Sequence, residues 1–509
     1  MLPNTRREFF ADVGRGMLVA TLGPAVAADL GLSKAFAEDG TGKLSFGELD
    51  PLASLMQDTA PDKLLPILVE KLKSGTDLRA LVTAGALANA REFGGRHYEG
   101  YHTFMALAPA YEMSREMPED QRALPVLKVL YRNSTHMHGK GGRKNEELHP
   151  VEPIAVPEGK IAGEVIRDAA RNNDRKTAEG VFATVAKGKP ADAFDELQYF
   201  VHDDVNVHRV VLAWRAWMML DFTGPEQAHT LLRQSVLFAC REHGNKPTGG
   251  VQALLTKLLD DYKLVGRKAG TKAVDDKWVE DLSRVVYGEG RDKAAQAVAA
   301  ALAEGIAPSA IAEAICLAAN TLLLRDPGRR QADGAKYVGS VHGDSVGVHA
   351  SDAANAWRNI AKVSNQRNSV ASLIVGAYHT AGQNGGQLKD PYPLAAQLEK
   401  VQTKDPADLL RQAESAIKNQ DQALAAALVS RYGELGQPAR PIFDLMLRYG
   451  VSEDGALHAE KYYRTVTEEF AAMRPAFRWR QLVALARVTA SEYGKPAPGY
   501  DEAKKLLKV

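Results

Sequence analysis

Three segments of this chain repeat one order of residues: a histidine, a spacer, a carboxylate, a short gap and a second histidine. The paired histidines are His97 and His102, His202 and His208, and His342 and His349, with Glu99, Asp204 and Asp344 between them. A third histidine comes one helical hairpin later in each case: His136 or His138, then His243, then His379. Self-similarity of this kind indicates internal duplication, so the fold should consist of equivalent units.

The residues around the three segments predict helices. Leucine- and alanine-rich stretches with apolar residues three and four positions apart come before each segment, while sustained alternation of apolar and polar residues is scarce. A fourth, degenerate copy extends from about residue 424 to residue 494, with His458 in the place of the second histidine and serines near the other two places. We predict an all-α fold of duplicated helical hairpins, about four units in two halves, either a closed toroid or an open α/α superhelix.

The N-terminus has the order of a twin-arginine (Tat) signal peptide. Arg6 and Arg7 precede two phenylalanines, a mildly apolar stretch covers residues 17–32, and an A-x-A cleavage sequence ends at Ala37. We predict that residues 1–37 are this signal and that the Tat export machinery delivers the protein to the periplasm or beyond. This route carries folded cargo and is used disproportionately by proteins that receive a cofactor before export.

The rest of the chain divides at a charged linker, residues 260–277. We predict an N-terminal helical half over residues 38–259, with two histidine-bearing units, and a C-terminal half over residues 278–509, with one such unit and the degenerate one. The net charge of +1 argues against a nucleic-acid partner, and no stretch after the signal is long and apolar enough to span a membrane. Cys240 and Cys316 are expected to be small buried residues, and the Cys-x-x-Cys-His sequence of covalently attached haem is absent.

The repeated segments carry residue types that bind transition metals. Neutral imidazoles with a carboxylate suit iron, zinc, copper or manganese, and two histidines with one carboxylate leave coordination positions open for a substrate. The most complete candidate is the third unit, with His342, Asp344, His349 and His379, followed by the first, with His97, Glu99, His102 and His136 or His138. The second unit offers His202, Asp204, His208 and His243. Two alternatives are shared sites, in which units face a central cavity, and haem held by two histidines.

The same residues also suit a purely structural role. A histidine at the end of a helix can bond the last carbonyl groups, and an aspartate at the start of the next helix can cap its free N–H groups. Any duplicated hairpin would inherit such caps in every copy. Under this interpretation the chain is a non-catalytic helical-repeat protein that serves for binding or as a scaffold.

The stretch from Gly100 to Tyr111, with His97 ahead of it, resembles the histidine-bearing helices of questin oxidase-like proteins. The resemblance covers the first and third units and implies an all-helical protein that carries out an oxygen-dependent ring opening. The export signal is a departure, because reduced nicotinamide cofactors are not available outside the cytoplasm, and it favours a dioxygenase-type or cofactor-free oxidation. We therefore predict an exported, histidine-ligated metalloenzyme, an oxidoreductase acting on a small organic molecule. A metal-dependent hydrolase is the same hypothesis with a different ion.

Overall fold

The computed structural model describes residues 42–242, 250–334, 336–341 and 345–509. Regular structure in these residues is helical, and their β pairing is limited to three isolated bridges. The predicted all-α class is therefore confirmed. Among the helices of the described ranges, none is both long and apolar enough to cross a membrane. The predicted signal, residues 1–37, lies outside the described residues and stays a prediction.

The helices form four units of five, with single helices after units 2, 3 and 4. Unit 1 consists of α1 (Asp50–Asp58), α2 (Pro61–Lys73), α3 (Leu78–Phe93), α4 (Tyr98–Ser114) and α5 (Leu124–Gly139). Unit 2 consists of α6 (Ala162–Arg171), α7 (Arg175–Val185), α8 (Pro190–Val201), α9 (Val207–Thr223) and α10 (Ala228–Glu242), followed by α11 (Val251–Asp261). Unit 3 consists of α12 (Asp276–Gly288), α13 (Arg291–Ala303), α14 (Pro308–Leu324), α15 (Val346–Val363) and α16 (Gln366–Gly382), followed by α17 (Ala395–Leu398). Unit 4 consists of α18 (Pro406–Lys418), α19 (Gln422–Glu434), α20 (Arg440–Ser452), α21 (His458–Ala472) and α22 (Pro475–Glu492), followed by α23 (Tyr500–Leu507).

Short-range sequence signals explain where many helices begin. Asp77, Asn206 and Ser345 each accept a hydrogen bond from a first-turn N–H group, at the starts of α3, α9 and α15. Proline is the first residue of α2, α8, α14 and α22, where its missing N–H group costs nothing. The interval between α11 and α12 is residues 262–275, which lies within the charged linker predicted at residues 260–277. Cys240 and Cys316 are buried and unpaired.

Each unit packs its five helices in the same way. The fifth helix contacts the second and the fourth, while the third contacts the first and the fourth. Inner helices are buried around their whole circumference: α3 from Leu81 to Phe93, α16 from Val370 to Ala381 and α22 from Gln481 to Glu492. Helices of this kind form the core, and the first and second helices of each unit lie outside them.

The four units close into a ring around one axis. The fourth helices, α4, α9, α15 and α21, contact one another in that order, and α21 returns to α4. The third helix of every unit also contacts the fifth helix of the next, including α20 of unit 4 against α5 of unit 1. The molecule is therefore a closed α/α toroid, and we call the four fourth helices its axial helices.

A buried ion pair joins the last unit to the first. Lys128 Nζ, on α5, lies 2.7 Å from Glu460 Oε1, on α21, and both side chains are almost fully buried. The same ammonium donates to the carbonyl oxygens of Gly450 and Glu453. The C-terminal helix α23 covers this junction by packing against α2 and α5. Removing one member of such a pair is costly, because the other charge stays buried without a partner.

Replacing Lys128 with Met should lower the free energy of unfolding by about 3–5 kcal/mol, because Glu460 would remain buried without its cation. Urea denaturation followed by circular dichroism measures the change. The double variant K128M/E460M should recover most of the loss. Lys293→Met, which removes an exposed pair with Glu289, is the matched control and should leave stability unchanged. Equal losses of stability in K128M and K293M would contradict a special role for the buried pair.

Candidate functional site

The closed ring brings together the second histidine of every unit. His102, His208, His349 and His458 lie within the first five residues of α4, α9, α15 and α21, respectively. The axial helices occupy equivalent positions around one axis, so their N-termini meet at one end of it and carry these side chains with them. We call the four residues the histidine layer.

The four imidazoles of the histidine layer are neighbours around the axis. Ring centroids are 4.8 Å apart for His102 and His208, and 5.7 Å apart for His208 and His349. The distances are 5.3 Å for His349 and His458, and 5.2 Å for His458 and His102. The Nε2 atoms of His349 and His458 are 3.3 Å apart. Each unit thus contributes one ring to a closed cluster.

Backbone carbonyl groups orient two of the rings. His102 Nδ1 lies 2.7 Å from the carbonyl oxygen of Tyr98, and His458 Nδ1 lies 3.1 Å from that of Ala456. A carbonyl oxygen only accepts, so each Nδ1 carries the proton and donates it, and each Nε2 keeps a lone pair. The Nε2 atoms of His102 and His208 are buried, and no described group bonds to them. Histidine ligands of metal ions are oriented by outer hydrogen bonds of this type.

Burial keeps three rings of the histidine layer neutral, those of His102, His208 and His458. It lowers the pKa of His208 to about 3, and it lowers the pKa values of His102 and His458 far below their ordinary value. The positive charge of Lys461 lowers the pKa of all three further. Only a neutral imidazole can bind a metal ion, so at pH 7 these rings are in the form that a metal site requires.

Two tyrosines of α4 separate the layer from solvent. Tyr98 packs on His102 with ring centroids 4.1 Å apart, and 49% of it is exposed. Tyr101 is buried against His102 and His208. His208 and His349 are themselves only half-buried. The layer therefore lies about one side chain below the molecular surface.

Charged groups lie next along the axis. Lys461, one turn after His458, and Asp352, on α15, are buried. Burial lowers the pKa of Lys461 to about 8, while the charges of Asp352 and Glu460 oppose the shift. Asp352 accepts a hydrogen bond of 2.7 Å from the Thr465 hydroxyl. Side chains on helices lean towards the N-terminus, which directs the Lys461 ammonium at the histidine layer.

No three His, Cys, Asp or Glu side chains of the described residues are spaced as a ready-made metal site. The histidine layer comes close to that spacing. Neighbouring nitrogen ligands at about 2.1 Å from one ion are about 3.0–3.4 Å apart. The Nε2 separation of 3.3 Å between His349 and His458 lies in this range. One ion bound by all four rings would require the Nε2 atoms of His102 and His208 to approach the same point.

The outer residues of the first predicted set lie away from the layer. His97 is half-exposed, with its Nε2 atom 3.7 Å from a Glu147 carboxylate oxygen, and it makes no capping hydrogen bond at the start of α4. His136 is half-buried and His138 is exposed, both on α5. Burial lowers the pKa of His136, and the charge of the half-buried Glu99 opposes this shift only in part. The structure thus groups His102 with other units rather than with these residues.

His202 and His379, predicted to serve different units, both contact Trp357 at the interface between units 2 and 3. His202 Nε2 is 2.9 Å from Ser372 Oγ, and its ring stacks on Trp357. Trp357 Nε1 donates to His379 Nδ1 at 3.1 Å. Asp204 is near enough for its charge to act on the pKa of His379. The first histidine of unit 2 and the third histidine of unit 3 are therefore linked through Trp357.

Three predicted ligands, His243, His342 and Asp344, lie outside the described residues. The layer contains one residue that the predicted sets omit, His458. The sequence signal for it is its position in the degenerate unit, equivalent to the second histidine of the others. Lys461 gives no such signal, because a single lysine on an amphipathic helix is normally exposed.

Comparisons with known proteins do not assign this site. No family model matches the chain, and neither the curated proteins nor the solved structures gave a match. Its chemistry therefore has to be inferred from its own geometry.

The pair at the interface of units 2 and 3 should make the protein sensitive to acid. Burial lowers the pKa of His202 to about 3 and that of His379 to about 4. Below pH 6.5 the unfolded chain binds protons that the folded protein does not. Each of the two histidines should therefore reduce stability by about 1.4 kcal/mol per pH unit as the pH falls towards 4.

Urea denaturation at several pH values between 7 and 4.5 tests this dependence. His379→Gln should reduce the slope of the free energy of unfolding against pH by the contribution of one histidine. His138→Gln, at an exposed position, should leave this slope unchanged. Identical slopes for wild type and H379Q would contradict the prediction.

Proposed function

We propose that the histidine layer binds one transition-metal ion and that the protein is an exported oxidoreductase acting on a small organic molecule. The supporting observation is the convergence of four imidazoles from four units, two of them with buried Nε2 atoms that no described group bonds. A buried polar atom without a partner costs about 1–3 kcal/mol. A cation bound to the Nε2 atoms of His102 and His208 would remove that cost.

The ligand type narrows the choice of ion. Imidazole nitrogens suit iron, copper and zinc, whereas manganese prefers oxygen ligands. Four protein ligands would fill the tetrahedral shell of zinc, but iron and copper accept further ligands. An ion with an open position can exchange electrons with a substrate. Four imidazole ligands therefore favour a redox metal, and hence an oxidoreductase, over a zinc-dependent hydrolase.

Haem fits the arrangement less well than a single ion. Axial histidines stand on opposite faces of a porphyrin, so the macrocycle needs a slot between them. In the histidine layer each ring has neighbours on both sides, at centroid distances from 4.8 to 5.7 Å. Such spacing accommodates an ion at the centre but not a porphyrin plane.

Protein purified through its native export route should contain about one iron or copper ion per chain, measured by elemental analysis together with an absorption spectrum. The double variant H349A/H458A should lose the metal and keep its helical circular dichroism, because two of the four ligands are removed. The control H136A/H138A changes two histidines of the first predicted set outside the layer and should retain the metal.

Three outcomes would contradict this proposal. Folded wild-type protein that contains no metal and takes up none would favour the non-catalytic repeat protein. A Soret band would instead indicate haem. Metal loss in H136A/H138A but not in H349A/H458A would place the metal outside the histidine layer.

Export is the second part of the proposal and depends on the paired arginines near the N-terminus. Replacing Arg6 and Arg7 with Lys should retain the precursor in the cytoplasm, because the Tat receptor reads this pair. Cell fractionation with immunoblotting measures the distribution. Arg15→Lys makes the same exchange within the signal and should leave export unchanged. Efficient export of the double variant would show that another signal acts.

A further inference from the structure

A cavity of about 780 Å³ lies between α9, α14, α15 and α21, helices of units 2, 3 and 4. The residues that line it on the axial helices α15 and α21 begin with Asn355 and Arg464. Each of these comes six residues after the histidine of its helix, His349 or His458, which is about 9 Å along the axis. The cavity therefore lies towards the C-terminal ends of the axial helices and is separate from the histidine layer.

Small side chains keep this space open. Ala312, on α14, lines the cavity together with Ala471 and Ala472 at the end of α21. The two alanines of α21 and Ser309, at the start of α14, are exposed, so the cavity opens to the surface between these helix ends. Its volume is in the range of pockets that hold small organic molecules.

Two asparagines, two glutamates and two arginines form a hydrogen-bonded network along the cavity, which we call the polar wall. Its members are Asn355, Arg358, Asn359, Arg464, Glu468 and Glu469. Asn355 Nδ2 donates to Glu468 Oε2 at 3.0 Å and to Glu469 Oε1 at 2.9 Å. Asn359 Nδ2 donates to Glu468 Oε2 at 3.1 Å and to Asn355 Oδ1 at 3.2 Å. These bonds hold the side chains in place before a ligand arrives, which reduces the entropic cost of binding.

The arginines of the polar wall are paired with its glutamates. Arg464 Nε donates to Glu468 Oε1 at 2.7 Å, and Arg358 Nη1 donates to Glu469 Oε2. Both oxygens of Glu469 accept hydrogen bonds, which is the pattern of an ionised carboxylate. Two cations and two carboxylates therefore offset each other within the polar wall.

The charges next to the polar wall balance as well. Arg215 and Lys461 are buried cations on the side of the histidine layer. Asp352, also buried, and Glu112, 3.9 Å from Arg464, supply two carboxylates. Cations and carboxylates in and beside the polar wall are thus equal in number, so the cavity offers no excess charge to an ionic ligand.

Other groups of the cavity have hydrogen-bonding capacity left for a ligand. The last carbonyl groups of a helix have no partner inside it, and Val363 and Ala472, the last residues of α15 and α21, line the cavity. Lys362 is exposed beside them, where its charge offsets the partial negative charge of the helix ends. Trp214, on α9, is only 9% exposed, and its buried Nε1 atom has no hydrogen-bond partner among the described residues. The cavity therefore combines free acceptors with a free donor.

We propose that this cavity binds a neutral sugar. A hydroxyl group both donates and accepts, so a molecule with several hydroxyl groups can use the free carbonyl groups and the free N–H group together. The indole ring of Trp214 and the alanines offer apolar surface to the C–H groups of a sugar ring. A charged ligand would have to break an ion pair of the polar wall, and the abandoned partner would stay buried alone. This site goes beyond the proposed function and does not depend on a metal in the histidine layer.

Saturation-transfer difference NMR tests the site with D-glucose, D-galactose, maltose and lactose, and with the uronic acid and the 2-amino sugar of each monosaccharide. At least one of the four neutral sugars should bind with a dissociation constant below about 1 mM. The charged sugars should bind at least about tenfold more weakly than the best neutral one, because they disturb the balance of charges.

Variants place the sugar in this cavity. Ala472→Trp puts a large side chain at the exposed opening and should weaken binding by more than about tenfold, because it fills the space the sugar occupies. Ala407→Trp, the same exchange at an exposed position of α18, is the matched control and should bind as wild type does. Trp214→Phe keeps an aromatic ring but removes the free donor, so the affinity should fall about three- to tenfold.

Three results would overturn the inference. The first is that none of the four neutral sugars binds, and the second is that a charged sugar binds more tightly than all of them. The third is equal affinity of wild type, A472W and W214F, which would place the sugar elsewhere on the molecule.

Discussion

Helices whose N-termini point at one place repel one another, because each brings a partial positive charge to it. The four axial helices of this protein are held in that arrangement by the helices around them. In every unit the third helix packs against the fifth helix of the next, and the last unit repeats this contact with the first. Ring closure is thus the constraint that forces four histidines into contact and concentrates positive charge where they meet.

Polar contacts between units accompany this closure. Lys128 with Glu460 joins units 1 and 4, Asp352 with Thr465 joins units 3 and 4, and His202 with Ser372 joins units 2 and 3. Each contact is buried, so a misaligned ring would leave these groups without partners at a high cost. We infer that such contacts set the register of the axial helices and therefore the spacing of the histidine layer.

Comparison of the repeated segments predicts the helical class, the number of units and the equivalence of His458 with the second histidines. It also groups candidate ligands by unit, with a site shared between units as the alternative. In the ring the second histidines of all four units contact one another, which is the arrangement of that alternative. Closure depends on contacts between distant parts of the chain, such as α20 against α5, and no local sequence pattern predicts them. For the same reason the pairing of His202 with His379 is not visible in the sequence.

The contribution of one imidazole per unit bears on how such a chain can originate. A protein of a single unit would complete the layer only as a fourfold-symmetric tetramer, and a protein of two units only as a dimer. Covalent linkage of the four copies frees them from having identical sequences. Unit 4 has Ser452 and Ser491 near the positions of the outer histidines, yet it retains His458. Gene fusion would thus allow the interface between each pair of units to change separately, while every unit keeps the histidine that it contributes to the layer.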